Sequence, residues 1–249
     1  MATNPMHQFE VYRVGPEINL GGINLSFTNA SLFMIISSLT ILLLLFFGTR
    51  KKLLVPSKMQ LVVEMSYTFI AKMINDTAGS NAKPFFPFIF TLFMFVLFCN
   101  MIGMLPYSFT VTSHIIVTFT LAAFIFIGVT IIGFIRHGLG YLKIFVPSGV
   151  PIILLPLIVV IEIISYLSRP ISLSVRLFAN MMAGHIVLKV FAAFSVSALA
   201  LGTAGWIAGL VPMLFNSILI GFELLIAYLQ AYVFAVLSCI YLKDAIELH

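Results

Sequence analysis

Charge is what this sequence has least of. Asp, Glu, Lys and Arg make up 8% of its 249 residues, against roughly a quarter in an ordinary soluble domain. A soluble domain of that size needs a charged skin, and a chain that is 61% hydrophobic cannot supply one. The two cysteines, Cys99 and Cys239, sit inside apolar runs, which excludes a disulfide framework and a cysteine-based metal site. There is no glycine-rich phosphate loop ending in Lys-Ser or Lys-Thr, no cluster of His and Cys, and no Gly-x-Ser-x-Gly elbow. No catalytic site, metal or cofactor is therefore expected on this chain. The first 20 residues contain no basic region feeding an apolar run, and Glu10 and Glu17 spoil a transit-peptide pattern. The net charge of +5 rests on 13 Lys and Arg. In so apolar a chain that charge bears on orientation in a bilayer, and no nucleic-acid partner is expected.

What is present is a succession of apolar runs, so the expected fold is an all-α polytopic membrane protein with one membrane domain over residues 1–249. The first span covers Leu32 to Gly48, about the minimum for a ~30 Å hydrocarbon core. Arg50, Lys51 and Lys52 follow it, with Lys58 close behind. By the positive-inside rule that end faces the cytoplasm or matrix and the N-terminus lies outside. Residues 57–74 put Leu61, Met65, Phe69 and Met73 on one helical face and Gln60, Glu64, Tyr67, Thr68 and Lys72 on the other, which predicts an amphipathic helix lying in the interface. Spans at 85–105 and 115–135 are joined by Pro106 and a polar stretch, making a hairpin. Arg136, His137 and Lys143 then mark the inside again.

Two long runs end the chain, Pro156 to Leu201 and Trp206 to Leu242. As single helices they would reach roughly 68 and 55 Å at 1.5 Å per residue. Two broken upright spans, or one strongly tilted helix, would each account for such a run. The break at Gly202–Gly209 makes them an antiparallel hairpin.

Nearly all charge inside the apolar runs lies in that terminal hairpin: Glu162, Arg169, Arg176, His185, Lys189 and Glu223. Intramembrane charge normally faces a bundle interior or a watery cavity. Glu162, Arg169 and Arg176 are seven residues apart and share a helical stripe, with Asn180 one turn beyond. His185, nine residues past Arg176, faces roughly the opposite way, and Lys189 follows one turn later. Glu223 and Gln230 share a face of the last helix. Arginine cannot release its proton, whereas Glu162, Glu223 and His185 can take and give one. A fixed cation flanked by titratable groups describes a proton path with a barrier across it. Structural roles stand beside this: Arg169 as an interface residue, His185–Glu223 as a plain ion pair, Asn180 and Gln230 as interhelical hydrogen-bond partners. His7, His114, His137 and His249 lie near span ends, where a solvated histidine is the default. An antiporter would show two related halves with paired broken helices, and none are visible. A scaffold would leave Arg176 without a role.

The segments "SRPISLSVRLFANMMAGH" (168–185) and "FELLIAYLQAYVFAVL" (222–237) resemble subunit a of the F-type ATP synthases. The resemblance extends to "FTLFMFVLFCNMIGMLPYSFTVTSH" (90–114) and "YLKDAIELH" at the C-terminus, and so covers nearly the whole chain. It implies a proton-conducting stator subunit of the membrane F0 sector, without a catalytic site of its own. Two aqueous half-channels would serve the carboxylates of a c-subunit ring, coupling proton flow to rotation and ATP synthesis. The two long helices would be single, steeply tilted and curved round that ring. Other implied partners are b-type peripheral stalk subunits, the remaining F0 subunits, the F1 sector and the lipid bilayer. The membrane would be the mitochondrial inner membrane or a bacterial inner membrane, with the His-then-Glu order resembling mitochondrial and alphaproteobacterial members. By the same resemblance Arg176 is the essential arginine between the half-channels, and His185 and Glu223 are a coupled pair in one of them. Glu162 is an acidic position near the cytoplasmic or matrix half-channel. Asn180 and Gln230 flank the arginine, and Ser172 is a small polar position at the helix interface. Some relatives carry an aspartate where Gly103 stands, so a polar contribution there is expected from Asn100 or water.

Overall fold

The computed structural model describes residues 5–16, 19–20, 23–24, 26–50, 55–105, 108–146, 151, 153–199 and 203–247. Lys51, Lys52, Pro106, Gly202 and His249 lie outside the described residues, as does the side chain of His7. Six α-helices account for most of the chain: α1 (Asn29–Thr49), α2 (Lys58–Ala78), α3 (Phe86–Gly103), α4 (Ile115–His137), α5 (Leu155–Leu199) and α6 (Thr203–Ile246). Two two-residue strands, β1 (Asn19–Leu20) and β2 (Ile23–Asn24), pair antiparallel ahead of α1. Among the described residues five helices, α1, α3, α4, α5 and α6, are long and apolar enough to cross a bilayer. The chain is an all-α polytopic membrane protein.

The exception, α2, carries Lys58, Glu64, Lys72 and Asp76 along 21 residues, more charge than a spanning helix tolerates. Ser57 caps its start, its hydroxyl accepting from the Gln60 amide at 3.3 Å. Gly79, at φ 73°, ends it in a backbone conformation that L side chains rarely adopt. Its packing face differs from the expected apolar stripe. Val63, Ile70, Met73 and Ile74 are buried, while Leu61, Met65 and Phe69 are exposed. The helix is apolar on two sides, one turned to protein and one turned away.

The long C-terminal runs are continuous. α5 and α6 extend 45 and 44 residues, with Pro170 and Pro212 inside them and no break at either. Each proline relinquishes one backbone hydrogen bond, which a helix of about a dozen turns packed against neighbours absorbs.

Contacts divide the chain into two compact units. The first comprises Met1–Ile41, Phe95–His114 and Leu177–Ala231. In it the N-terminal segment is tied to the start of α1: the Val14 amide donates to Phe27 O at 2.9 Å, and the Asn29 side chain donates to Glu10 O at 3.1 Å. α5 and α6 pair antiparallel here, Gly184 facing Glu223, Phe191 stacked on Phe215 and Gly209 against Ser195. The small Ala227 and Ala231, fully buried on α6, let α3 approach closely enough for Asn100 Nδ2 to donate to Ala227 O at 3.2 Å.

The second unit comprises Leu42–Met94, Ile115–Arg176 and Tyr232–His249. It is tied by aromatic hydroxyls and one ion pair. Tyr166 OH lies 2.6 Å from Thr130 Oγ1 and 3.0 Å from Tyr141 OH. Arg169 Nη1 donates to Asp244 Oδ2 at 2.9 Å, and its guanidinium lies 5.4 and 5.1 Å from the ring centres of Tyr166 and Tyr241. His137 Nε2 reaches Ile246 O at 3.0 Å, so this histidine ties the end of α4 to the end of α6. A Cβ at Gly133 would clash with the ring of Tyr141, whereas one at Gly128 would meet nothing within 4 Å. Gly133→Val is therefore expected to destabilise this unit by about 1–3 kcal/mol through overpacking. Heat denaturation of the detergent-solubilised protein should show a lowered midpoint for Gly133→Val against Gly128→Val, and equal midpoints would contradict the packing described.

Candidate functional site

The first unit encloses a cavity of about 940 Å³. α5 contributes His185 and Lys189, α6 contributes Asn216, the α3–α4 connection contributes Gly103 and Thr110, and the N-terminal segment contributes Gln8 and Glu10. The nine-residue offset from Arg176 turns His185 inwards, as the helical spacing predicts, and its side chain is 12% exposed. Its Nδ1 stands 3.6 Å from Glu223 Oε1. Its Nε2 lies 2.9 Å from Thr110 Oγ1, and the edge of Phe9 packs on the ring with centroids 6.4 Å apart.

Two glycines make this approach possible. A Cβ at Gly184 would stand 2.8 Å from Glu223 Oε1 and 3.1 Å from its Cδ, so a side chain there would displace the carboxyl group from its place beside His185. A Cβ at Gly103 would stand 2.8 Å from the methyl and 3.0 Å from the hydroxyl of Thr110. Glu223 is 3% exposed, and neither of its oxygens has a hydrogen-bond partner among the described residues. The same holds for Gln8 Nε2 and Asn216 Oδ1, both on cavity-lining residues. Buried polar atoms in native proteins are paired with protein or with ordered water. A cavity of this volume has room for water, and the orphaned atoms of Gln8 and Asn216 on its wall are groups such water would serve.

The remaining expected residues are distributed as follows. Asn180 and Gln230 are half-buried in the first unit. Glu162 is half-buried in the second unit, and Ser172 and Arg176 are exposed there. Arg176 makes no hydrogen bond and no ion pair among the described residues. It lies at the midpoint of α5, about 32 Å from either end at 1.5 Å per residue. Arg169, placed on the same stripe by the heptad spacing, is committed to Asp244 and acts as an interface residue. Asn100 does not supply the polar group beside Gly103. Its amide is engaged by Ala227 O and by Thr112 Oγ1 at 2.7 Å, and the hydroxyl at that place belongs to Thr110. Thr110 and Gly184 are the site residues that spacing did not find. The polar "SFTVTSH" between two spans marked the right segment, without naming which hydroxyl turns inwards. Among the described residues no group of three or more His, Cys, Asp or Glu could hold a metal ion.

A family model described as ATP synthase A chain matches residues 31–243. The chain belongs to the ATP synthase A chain family. It is 70% identical over 249 residues to ATP synthase subunit a of Pelagibacter ubique (strain HTCC1062), all of both chains being covered. It is 57% identical over 244 residues to ATP synthase subunit a of Parvibaculum lavamentivorans, covering 98% of this chain and 94% of the relative. Against the same subunit of a Chelativorans species it is 57% identical over 247 residues, 99% of each chain. Membership makes it the proton-translocating subunit of the membrane sector of ATP synthase.

Gly184→Ala is expected to push the Glu223 carboxyl away from His185 and to lower proton flux by about tenfold or more, since sub-ångström placement governs transfer between groups. Passive proton conductance of vesicles, normalised to the amount of assembled complex, checks this, and wild-type conductance would contradict it.

Proposed function

We propose that the cavity and the His185–Glu223 pair form one aqueous half-channel of the stator, delivering protons to carboxylates on a c-subunit ring. The observation that carries this is the joining of three features in one place: a roomy open cavity with polar groups on its wall, an imidazole among them, and a buried carboxyl 3.6 Å behind that imidazole. A proton on Nδ1 can pass to Oε1 and back, so the pair can hold a mobile proton at either atom. Glu223 is absent from the cavity wall, so His185 is the group water meets first.

Arg176 is the separator. An exposed guanidinium at mid-helix, unpaired among the described residues, is suited to a carboxylate or water supplied from outside them. A ring carboxylate passing that face of α5 would pair with it, give up its proton before arriving and regain one after leaving. Because arginine stays charged, protons cannot leak through it. Ser172, on the same exposed face, keeps that surface small and polar. Asn180 and Gln230 line the approach to the arginine, and Glu162 serves the second half-channel near the cytoplasmic end of α5. A helix of about 68 Å in a ~30 Å core must run at a steep tilt, which lets α5 and α6 follow a curved rotor.

The remaining partners are b-type peripheral stalk subunits, the other F0 subunits and, through the complex, F1. The catalytic chemistry belongs to F1, and this chain works as a subunit of a proton-translocating enzyme without a catalytic site or cofactor of its own. The membrane is a bacterial inner membrane, as for the alphaproteobacterial relatives, and the whole chain functions in it as one membrane domain.

Glu223→Gln should reduce ATP-driven proton pumping by roughly 10–100-fold, because it removes a group that takes and gives protons. The exchange His185→Glu with Glu223→His should retain more flux than either single change if the two positions are coupled. Pumping by inverted membrane vesicles checks both, and unchanged pumping in Glu223→Gln would leave the pair a structural contact.

A further inference from the structure

We infer that Thr110 is a positioning residue of the proton path, holding His185 in the state that presents Nδ1 to Glu223. The inference rests on the proposed relay role of the His185–Glu223 pair.

A threonine hydroxyl has one hydrogen to give. At Thr110 that hydrogen has an acceptor that can do nothing but accept: the carbonyl oxygen of Gly103, 3.1 Å from Oγ1. With its hydrogen on that carbonyl, Oγ1 faces His185 Nε2 at 2.9 Å with a lone pair. The ring nitrogen on that side must then carry the N–H. Nδ1 is left as the exchangeable nitrogen, and Nδ1 is the one 3.6 Å from Glu223 Oε1. The chain Nε2–H to Thr110 to Gly103 O is the same whether the moving proton sits on His185 or on Glu223. In one state the neutral imidazole accepts from a protonated Glu223. In the other an imidazolium donates to the carboxylate, and a single proton has crossed between Nδ1 and Oε1.

The local structure is built to hold this hydroxyl. Thr110 is 5% exposed and Gly103 leaves no room for a side chain beside it. The turn containing it is pinned by Ser113, whose amide and hydroxyl both bond Thr110 O, at 3.2 and 2.6 Å. Thr112 fastens the same turn to α3 through Asn100. Without the hydroxyl, the N–H on Nε2 would lose its acceptor, and the wrong tautomer would turn an N–H at Nδ1 towards Glu223 with no lone pair there to accept the proton of the carboxyl group. An outer hydrogen-bond partner of this kind fixes which nitrogen of a histidine does chemistry.

The test uses the assembled complex in membrane vesicles, with flux normalised to complex content. Thr110→Val keeps the shape and removes the hydroxyl, Thr110→Ala removes both, and Thr110→Ser keeps the hydroxyl alone. Passive proton flux and ATP-driven pumping are expected to fall by about tenfold in the valine and alanine variants, and to stay within about twofold of wild type in the serine variant. A valine variant with wild-type flux overturns the role, and so does a serine variant as slow as valine, since that would make the requirement one of shape. Glu223→Gln measured alongside separates the two levels. Wild-type flux in Glu223→Gln overturns the relay and this role with it, whereas a slow Glu223→Gln beside a wild-type Thr110→Val overturns this role alone.

Discussion

A carboxyl group placed inside a helix bundle must either be met by a partner that can share its proton or remain a large desolvation cost. Glu223 meets that condition through His185, 3.6 Å away, and much of the first unit is arranged around the meeting. Gly184 gives the carboxyl its space, Gly103 gives Thr110 its space, and Thr110 holds the far side of the imidazole. Ala227 brings α3 close to α6, so that Asn100 and Thr112 set the turn on which Thr110 stands. The N-terminal segment, tied to α1 at Val14 and Asn29, closes the chamber with Gln8, Glu10 and the edge of Phe9. Small residues are therefore functional here without any chemistry of their own.

The second unit uses charge for the opposite purpose. Arg169 is stacked near two tyrosines and bonded to Asp244, which leaves its guanidinium satisfied within the chain. Arg176, two turns on, is left without such a partner among the described residues. One arginine binds α5 to α6, and the next offers its charge outward. The difference lies in what the neighbouring helix places opposite, and arginine chemistry is the same in both.

The spanning helices were legible because a run of about twenty apolar residues matches the thickness of a bilayer and little else in a folded chain, and the charges of α2 set it apart from them. That His185 and Arg176 face opposite ways followed from helical geometry alone. Other features were hidden for physical reasons. Length alone left each terminal run open to two readings, broken upright spans or one tilted helix, and α5 and α6 are continuous through Pro170 and Pro212 because packing against neighbours absorbs one lost hydrogen bond. The expected apolar stripe of α2 is largely exposed, and the side that packs on protein was not named, because a membrane protein is apolar toward lipid and toward protein alike, so apolarity does not choose between them. Heptad spacing put Arg169 and Arg176 on one stripe, and the partner that makes Arg169 an interface residue, Asp244, lies 75 residues away, where no spacing could name it. Thr110 reaches His185 across the same separation of 75 residues. Gly103 read as a missing acid, while the structure makes it the space that a neighbouring hydroxyl occupies.

On the function proposed above, coupling depends above all on Arg176 keeping two proton paths apart. The measurement that tests this most directly is made on Arg176→Ala, recording passive proton conductance under an imposed potential in vesicles stripped of the catalytic head, beside ATP synthesis in unstripped vesicles. The predicted result is a fully assembled complex that no longer synthesises ATP yet still conducts protons, because the two paths then communicate through the vacated position. Wild-type ATP synthesis in Arg176→Ala would contradict it and make the exposed guanidinium a structural feature of α5.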